Sequence, residues 1–125
     1  MSKRYPDLEI YIHRTETDHV LRWLAEIFEL KQSRPLKDSI ICNLVGVTGK
    51  EMECVILSKA ARGGYTSVWF KSNETKWDTD KDCAVDAFDF FAKEIRCSAG
   101  GWQGEDEGGW FRVTDEGVKT ANWLA

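Results

Sequence analysis

Proline and histidine are scarce in this 125-residue chain, with two of each. Pro6 and Pro35 fall outside the segments of regular patterning, so nothing interrupts a single domain over residues 1–125. No internal repeat or low-complexity linker divides it. No apolar run approaches the length of a membrane-spanning helix, so no membrane partner is expected. The start, Met1-Ser2-Lys3-Arg4-Tyr5-Pro6-Asp7, is basic but has no apolar stretch behind it. A secretory signal is therefore not expected, and the default compartment is cytoplasmic.

Close metal-ligand spacing is also missing. Cys42, Cys54, Cys83 and Cys97 form no C-x-x-C, and His13 and His19 lie far from all of them. Structural zinc sites show close spacing with histidine nearby. The four thiols are expected to be reduced and buried as small hydrophobes, with no metal and no cofactor. A basic excess is absent too. Residues 1–62 carry 10 Lys/Arg against 9 Asp/Glu, a net of +1, whereas residues 63–125 carry 7 against 12, a net of −5. Nucleic-acid binders need a basic footprint, so no nucleic acid is expected, whereas a protein with a basic surface suits the acidic half.

The chain does have a normal apolar content, 42%, enough for a core without disulfides. Leu8 to His13 alternates with period two and predicts a strand, with Leu8, Ile10 and Ile12 on one face and Glu9, Tyr11 and His13 on the other. Thr15 to Asp18 has capping-box spacing, with Asp in the Glu position. The helix it opens places Val20, Leu21, Trp23, Leu24, Ile27 and Phe28 on a broad face and is expected to end near Lys31. Ile40–Val45 and Met52–Leu57 predict a hairpin around Val47-Thr48-Gly49-Lys50. Arg62-Gly63-Gly64 breaks the pattern, and Tyr65–Lys71 predicts the next strand.

Ser72 to Asp78 is a polar loop holding Trp77, and Thr79 or Asp80 can cap a second helix. That helix lines up Ala84, Ala87, Phe88, Phe91 and Ile95 against a wet stripe of Asp82, Asp86, Asp89 and Lys93. Short strands are expected over Glu94–Ser98 and Trp110–Val113, a loop over Gly100–Gly109, and a weak helix over Asp115–Leu124. The order predicts an α+β fold of two layers, with two helices on one face of a mainly antiparallel sheet. The leading topology is ferredoxin-like, a split β-α-β core with extra C-terminal strands.

The most conspicuous segment is Trp102-Gln103-Gly104-Glu105-Asp106-Glu107-Gly108-Gly109-Trp110. Trp102 and Trp110 offer large contact area with a polar N–H, and Glu105, Asp106 and Glu107 can meet Lys or Arg on a partner. The spacing fits no EF-hand. The plainer alternative is a solvated hairpin loop whose tryptophans cap the core. A second candidate is the sheet face opposite the helices, where Tyr11, His13, Tyr65 and Trp69 fall together. They can line a ligand cleft or form a homodimer interface, unless Val113–Trp123 packs over them. Neither Gly63-Gly64 nor Gly100-Gly101 has a phosphate-loop pattern.

Three functional readings follow. The leading one is a non-enzymatic regulatory or inhibitory protein, immunity-like, that masks a basic partner surface with the Trp-flanked acidic loop. The alternative is a small-molecule-binding module, dimeric through the open face. The third is an enzyme centred on His13, which needs a carboxylate or thiol beside the imidazole.

Overall fold

The period-two pattern at the start of the chain becomes β1 (Leu8–His13), and Leu8, Ile10 and Ile12 are fully buried. The computed structural model describes residues 4–98 and 109–121. α1 (Thr17–Ile27) follows, burying Val20, Trp23 and Leu24. The expected capping box does not form. Glu16 occupies the N-cap; among the described residues it makes no side-chain cap bond, and the buried Thr15 hydroxyl has no hydrogen-bond partner. The helix also stops before Lys31. Phe28 is extended (φ −125°, ψ 166°), and its ring turns into the core against Phe70 and Trp77.

The chain then continues directly into β2 (Glu29–Pro35), where only a helix end and a loop were expected. Pro35 therefore ends a strand rather than lying outside regular structure. β3 (Ser39–Val45) and β4 (Glu51–Ala61) form the expected hairpin, and β5 (Tyr65–Phe70) follows. α2 (Asp80–Phe91) starts as predicted: the Thr79 hydroxyl accepts the Asp82 N–H at 3.2 Å. Ala92, in the left-handed region at φ 54°, closes it. β6 (Ile95–Ser98), β7 (Trp110–Thr114) and β8 (Gly117–Ala121) complete the described elements. β8 replaces the expected C-terminal helix. Gly117, at φ 103°, supplies the left-handed residue that turns β7 back into it.

The strands form one sheet in the order β2-β3-β4-β5-β1-β6-β7-β8, every neighbouring pair antiparallel. The path β5-α2-β6 steps over β1, whereas β1-α1-β2 reaches the far edge and returns strand by strand to β5. Both helices cover the same face, since Trp23 of α1 meets Phe91 of α2 with ring centres 5.4 Å apart. The result is a two-layer α+β protein in which, among the described residues, no helix covers the other face of the sheet. β7 and β8 extend the sheet, so the Val113–Trp123 stretch does not fold back over that open face as far as it is described. All four cysteines are buried and unbridged, and Cys42 and Cys54 lie directly opposite each other on β3 and β4. Among the described residues no helix is long and apolar enough to cross a membrane.

The polar loop between β5 and α2 is stitched from within. Asn73 donates through Nδ2 to the carbonyls of Tyr5 and Trp77, and its Oδ1 accepts from the Thr75 N–H and hydroxyl. Arg4 clamps the same loop through the carbonyls of Asn73, Thr75 and Trp77 and the Asp78 carboxylate. The turn after β3 docks on this loop, with the Val47 N–H donating to the Glu74 carbonyl at 2.9 Å. Gly46 permits that approach, because a Cβ there would lie 2.1 Å from the Glu74 carbonyl oxygen. Gly46→Ala is therefore expected to destabilise the fold by about 1–3 kcal/mol. The check is a lower urea midpoint at unchanged slope; an unchanged midpoint would mean that the two segments separate freely.

Candidate functional site

Residues in register on neighbouring strands share a face, so the pairing fixes which side chains meet on the open side. Tyr11 of β1 lies between Ser67 of β5 and Arg96 of β6. Arg96 in turn faces Arg112 of β7, and Arg112 faces Lys119 of β8. With Leu57 opposite Ser67, a single row runs Leu57–Ser67–Tyr11–Arg96–Arg112–Lys119. Beside it His13 pairs with Tyr65, and on the other flank Ile41, Val55, Trp69 and Glu9 form a second row.

The polar groups in the middle of this face are bound to one another. Tyr65 donates its hydroxyl to Glu94 at 3.1 Å, and Arg96 donates through Nε to the same carboxylate oxygen at 2.7 Å. The Arg96 guanidinium also lies 5.1 Å from the Tyr65 ring centre. Burial by itself would raise the Glu94 carboxyl, but the bond and charge of Arg96, with the Tyr65 hydroxyl, carry it below the usual range. Burial raises the Tyr65 phenol, an effect opposed by the Arg96 charge and reinforced by Glu94. Arg96 is only 6% exposed although it stands on the face without helices. Further along, Ser67 donates to Glu9 at 2.7 Å and Trp69 Nε1 donates to Asp7 at 2.9 Å. The Tyr11 phenol is pushed up to about 12 by burial, then by the charge of Glu9 and a hydrogen bond to it, then by Asp80.

The structure thus brings Tyr11, His13 and Tyr65 together, with the His13 and Tyr65 rings 4.8 Å apart. Trp69 shares the face but belongs to the flanking row, where Lys71 lies 5.7 Å from its ring centre. Trp110 joins the group as well, packing edge-on against Tyr11 at 5.7 Å and 81°. Trp102, Glu105, Asp106 and Glu107 lie outside the described residues. The imidazole of His13 has a ring contact with Tyr65 and, among the described residues, no hydrogen bond to a carboxylate or thiol. Cys97, the thiol nearest the glycine-rich segment, is fully buried, and burial followed by the Asp80 charge pushes it up to about 12 against the pull of Lys81. Such a thiol carries almost no thiolate at neutral pH. Among the described residues no group of three or more His, Cys, Asp or Glu side chains is placed to hold a metal ion.

Glu94, Arg96, Arg112 and Lys119 were missed from the sequence. The signal was there: in Ile95-Arg96-Cys97 and Phe111-Arg112-Val113 a single arginine stands between two inward apolar residues. What sequence cannot supply is the register that sets the two arginines opposite each other. Comparison with known proteins gives no match, since no family model, curated protein or solved structure corresponds to the chain. The side chains of the open face therefore carry the functional case alone.

Proposed function

We propose that this protein is a non-catalytic binding module, regulatory or inhibitory in the manner of an immunity protein. It takes a protein partner with a basic surface on the acidic Trp102–Trp110 segment, whose Trp110 end adjoins the open sheet face. The observation that supports this most is the Tyr11–Trp110 ring contact on the open face. Trp110 is at once a member of that face and the end of the Trp102–Trp110 segment, so the two candidate sites found in the sequence share a residue. Only Gly108 and Gly109 separate Glu107 from Trp110 in the chain. Aromatic side chains beside carboxylates suit recognition of Lys and Arg: the rings provide buried contact, and the charges steer and orient. Leu57, 39% exposed on the same face, extends its apolar part. A ferredoxin-like core is supported by the strand order β6-β1-β5-β4, although β2-β3 are inserted after α1 where only extra C-terminal strands were expected.

The test is affinity capture at low and high salt with wild type, Trp110→Ala, and a variant carrying Glu105→Ser, Asp106→Ser and Glu107→Ser. A stoichiometric partner is expected at low salt, released as salt screens the ion pairs and lost in both variants. Absence of such a partner at low salt, or capture unchanged by either variant, would sink the proposal. Size measurement across concentration separates it from the homodimer alternative, which requires the mass to double.

A further inference from the structure

The row Arg96–Arg112–Lys119 places three cations side by side on adjacent strands, two of them directly opposite Arg112. Like charges facing each other across strands are destabilising. Two of the three have counter-charges: Arg96 is held by Glu94, and Lys119 by Glu116 at 2.9 Å. Arg112 makes no hydrogen bond or ion pair among the described residues, although it is half-buried. Its nearest influences are electrostatic, on Tyr65 and Glu94. A half-buried guanidinium without a direct hydrogen bond or ion pair among the described residues, flanked by two further cations and opposed only by the more distant Glu94 charge, costs stability. An oxyanion ligand would supply the direct partner that Arg112 lacks.

From this geometry we infer that Arg112 is the centre of an oxyanion-binding site on the β6-β7-β8 end of the open face. A planar guanidinium presents paired N–H donors that match the two oxygens of a carboxylate or phosphate. Glu94 does not repel the anion strongly, because Arg96 and the Tyr65 hydroxyl already hold its charge. Two residues before Arg112 on the same face stands Trp110, edge-on to Tyr11, so the site has an aromatic wall. The ligand class is an oxyanion, carboxylate or phosphate, whose attached body lies along that wall. The site shares Trp110 with the basic-partner proposal but needs neither Glu105, Asp106 nor Glu107, so the Glu105→Ser, Asp106→Ser, Glu107→Ser variant should lose the partner and keep the anion.

The experiment measures thermal midpoints and tryptophan fluorescence against inorganic phosphate and, separately, acetate, with chloride at matched ionic strength as the reference. Saturable binding is expected for at least one anion, and the anion that binds identifies phosphate or carboxylate as the chemistry served. At ten times Kd the midpoint should rise by about 3–6 °C over chloride. Arg112→Gln should weaken binding at least about tenfold, the loss of one charge-assisted bidentate contact, and Lys37→Gln on the distant β2–β3 turn should not. Without ligand, Arg112→Gln should melt at or above the wild-type temperature, because it relieves repulsion. No response to either anion, or equal response in Arg112→Gln, would overturn the site. So would a lower melting temperature of Arg112→Gln without ligand, since it would make Arg112 a structural residue.

Discussion

Replacing Trp77 by alanine is expected to destabilise the protein by about 3–5 kcal/mol, a large part of what a domain of this size has. Trp77 belongs to the irregular stretch between β5 and α2 yet is 4% exposed. Its ring stacks on Trp23 of α1 at 5.6 Å and 19°, and meets Phe28 at 6.1 Å and Phe70 of β5 at 5.9 Å. Its indole N–H donates to Asp86 of α2 at 2.9 Å. One side chain on a loop thus joins both helices and the sheet. Alanine would leave a cavity the size of the indole, and the loop cannot easily collapse into it because Asn73 and Arg4 hold its backbone. Trp77→Phe keeps a ring but loses the bond to Asp86, so a smaller loss of about 1–2 kcal/mol is expected. Urea denaturation decides the matter. A drop below about 1 kcal/mol for the alanine variant would remove Trp77 from the core.

The same residue shows where sequence patterning stops. A tryptophan beside Ser72-Asn73-Glu74-Thr75-Lys76 has no periodic partners, so it reads as part of a polar loop. Its burial follows from contacts with α1, which lies far away in the chain, and with the ring of Phe70 on β5. By contrast β1 was legible because one buried face imposes period two on it, and β5 from its β-branched and aromatic residues, although both of its faces are largely buried. α2 was legible from its apolar stripe and Thr79. β2 was not, since Glu29-Leu30-Lys31-Gln32-Ser33-Arg34-Pro35 has only Leu30 partly buried. It is an edge strand held by backbone pairing to β3, and charged side chains with a terminal proline are what edges carry. β8 was misread for a related reason: Val118 and Thr120 alternate with Lys119 over too few residues to outweigh a helical spacing.

The candidate site was legible only in part. Tyr11, His13, Tyr65 and Trp69 could be assigned to one face because each lies on a strand whose inward residues are plainly apolar. The cation row could not, because Arg96 and Arg112 are separated in the chain by the Cys97–Phe111 stretch, and nothing local records their pairing. The aromatic face and the acidic segment looked like separate features, and the contact between Tyr11 and Trp110 is what joins them.

Asp80→Asn is expected to stabilise the protein in alkaline solution and to have little effect in acid. Asp80 opens α2, and its carboxylate accepts the Glu9 N–H at 3.1 Å, covering the edge of β1 where β6 no longer pairs with it. Burial pushes this carboxyl up from 3.8 to about 7, and the Asp7 and Glu9 charges add to that against the bond from Glu9 N–H. A group whose pKa is higher in the folded state binds more proton there than in the unfolded chain. Stability is therefore greatest below about pH 4 and is lost as pH rises to about 7. The whole difference corresponds to about 4 kcal/mol, which partial exposure to water and the favourable helix N-terminus reduce to about 2–3 kcal/mol. Asparagine retains an oxygen for the Glu9 N–H and carries no charge, so the variant should escape the loss. Denaturation of both proteins at about pH 8.5 should show the variant ahead by about 2 kcal/mol, with the gap closing toward pH 4. Comparing the two at each pH cancels the titration of every group they share. A gap independent of pH, or a variant weaker at pH 8.5, would mean that the Asp80 carboxylate is held charged in the folded protein.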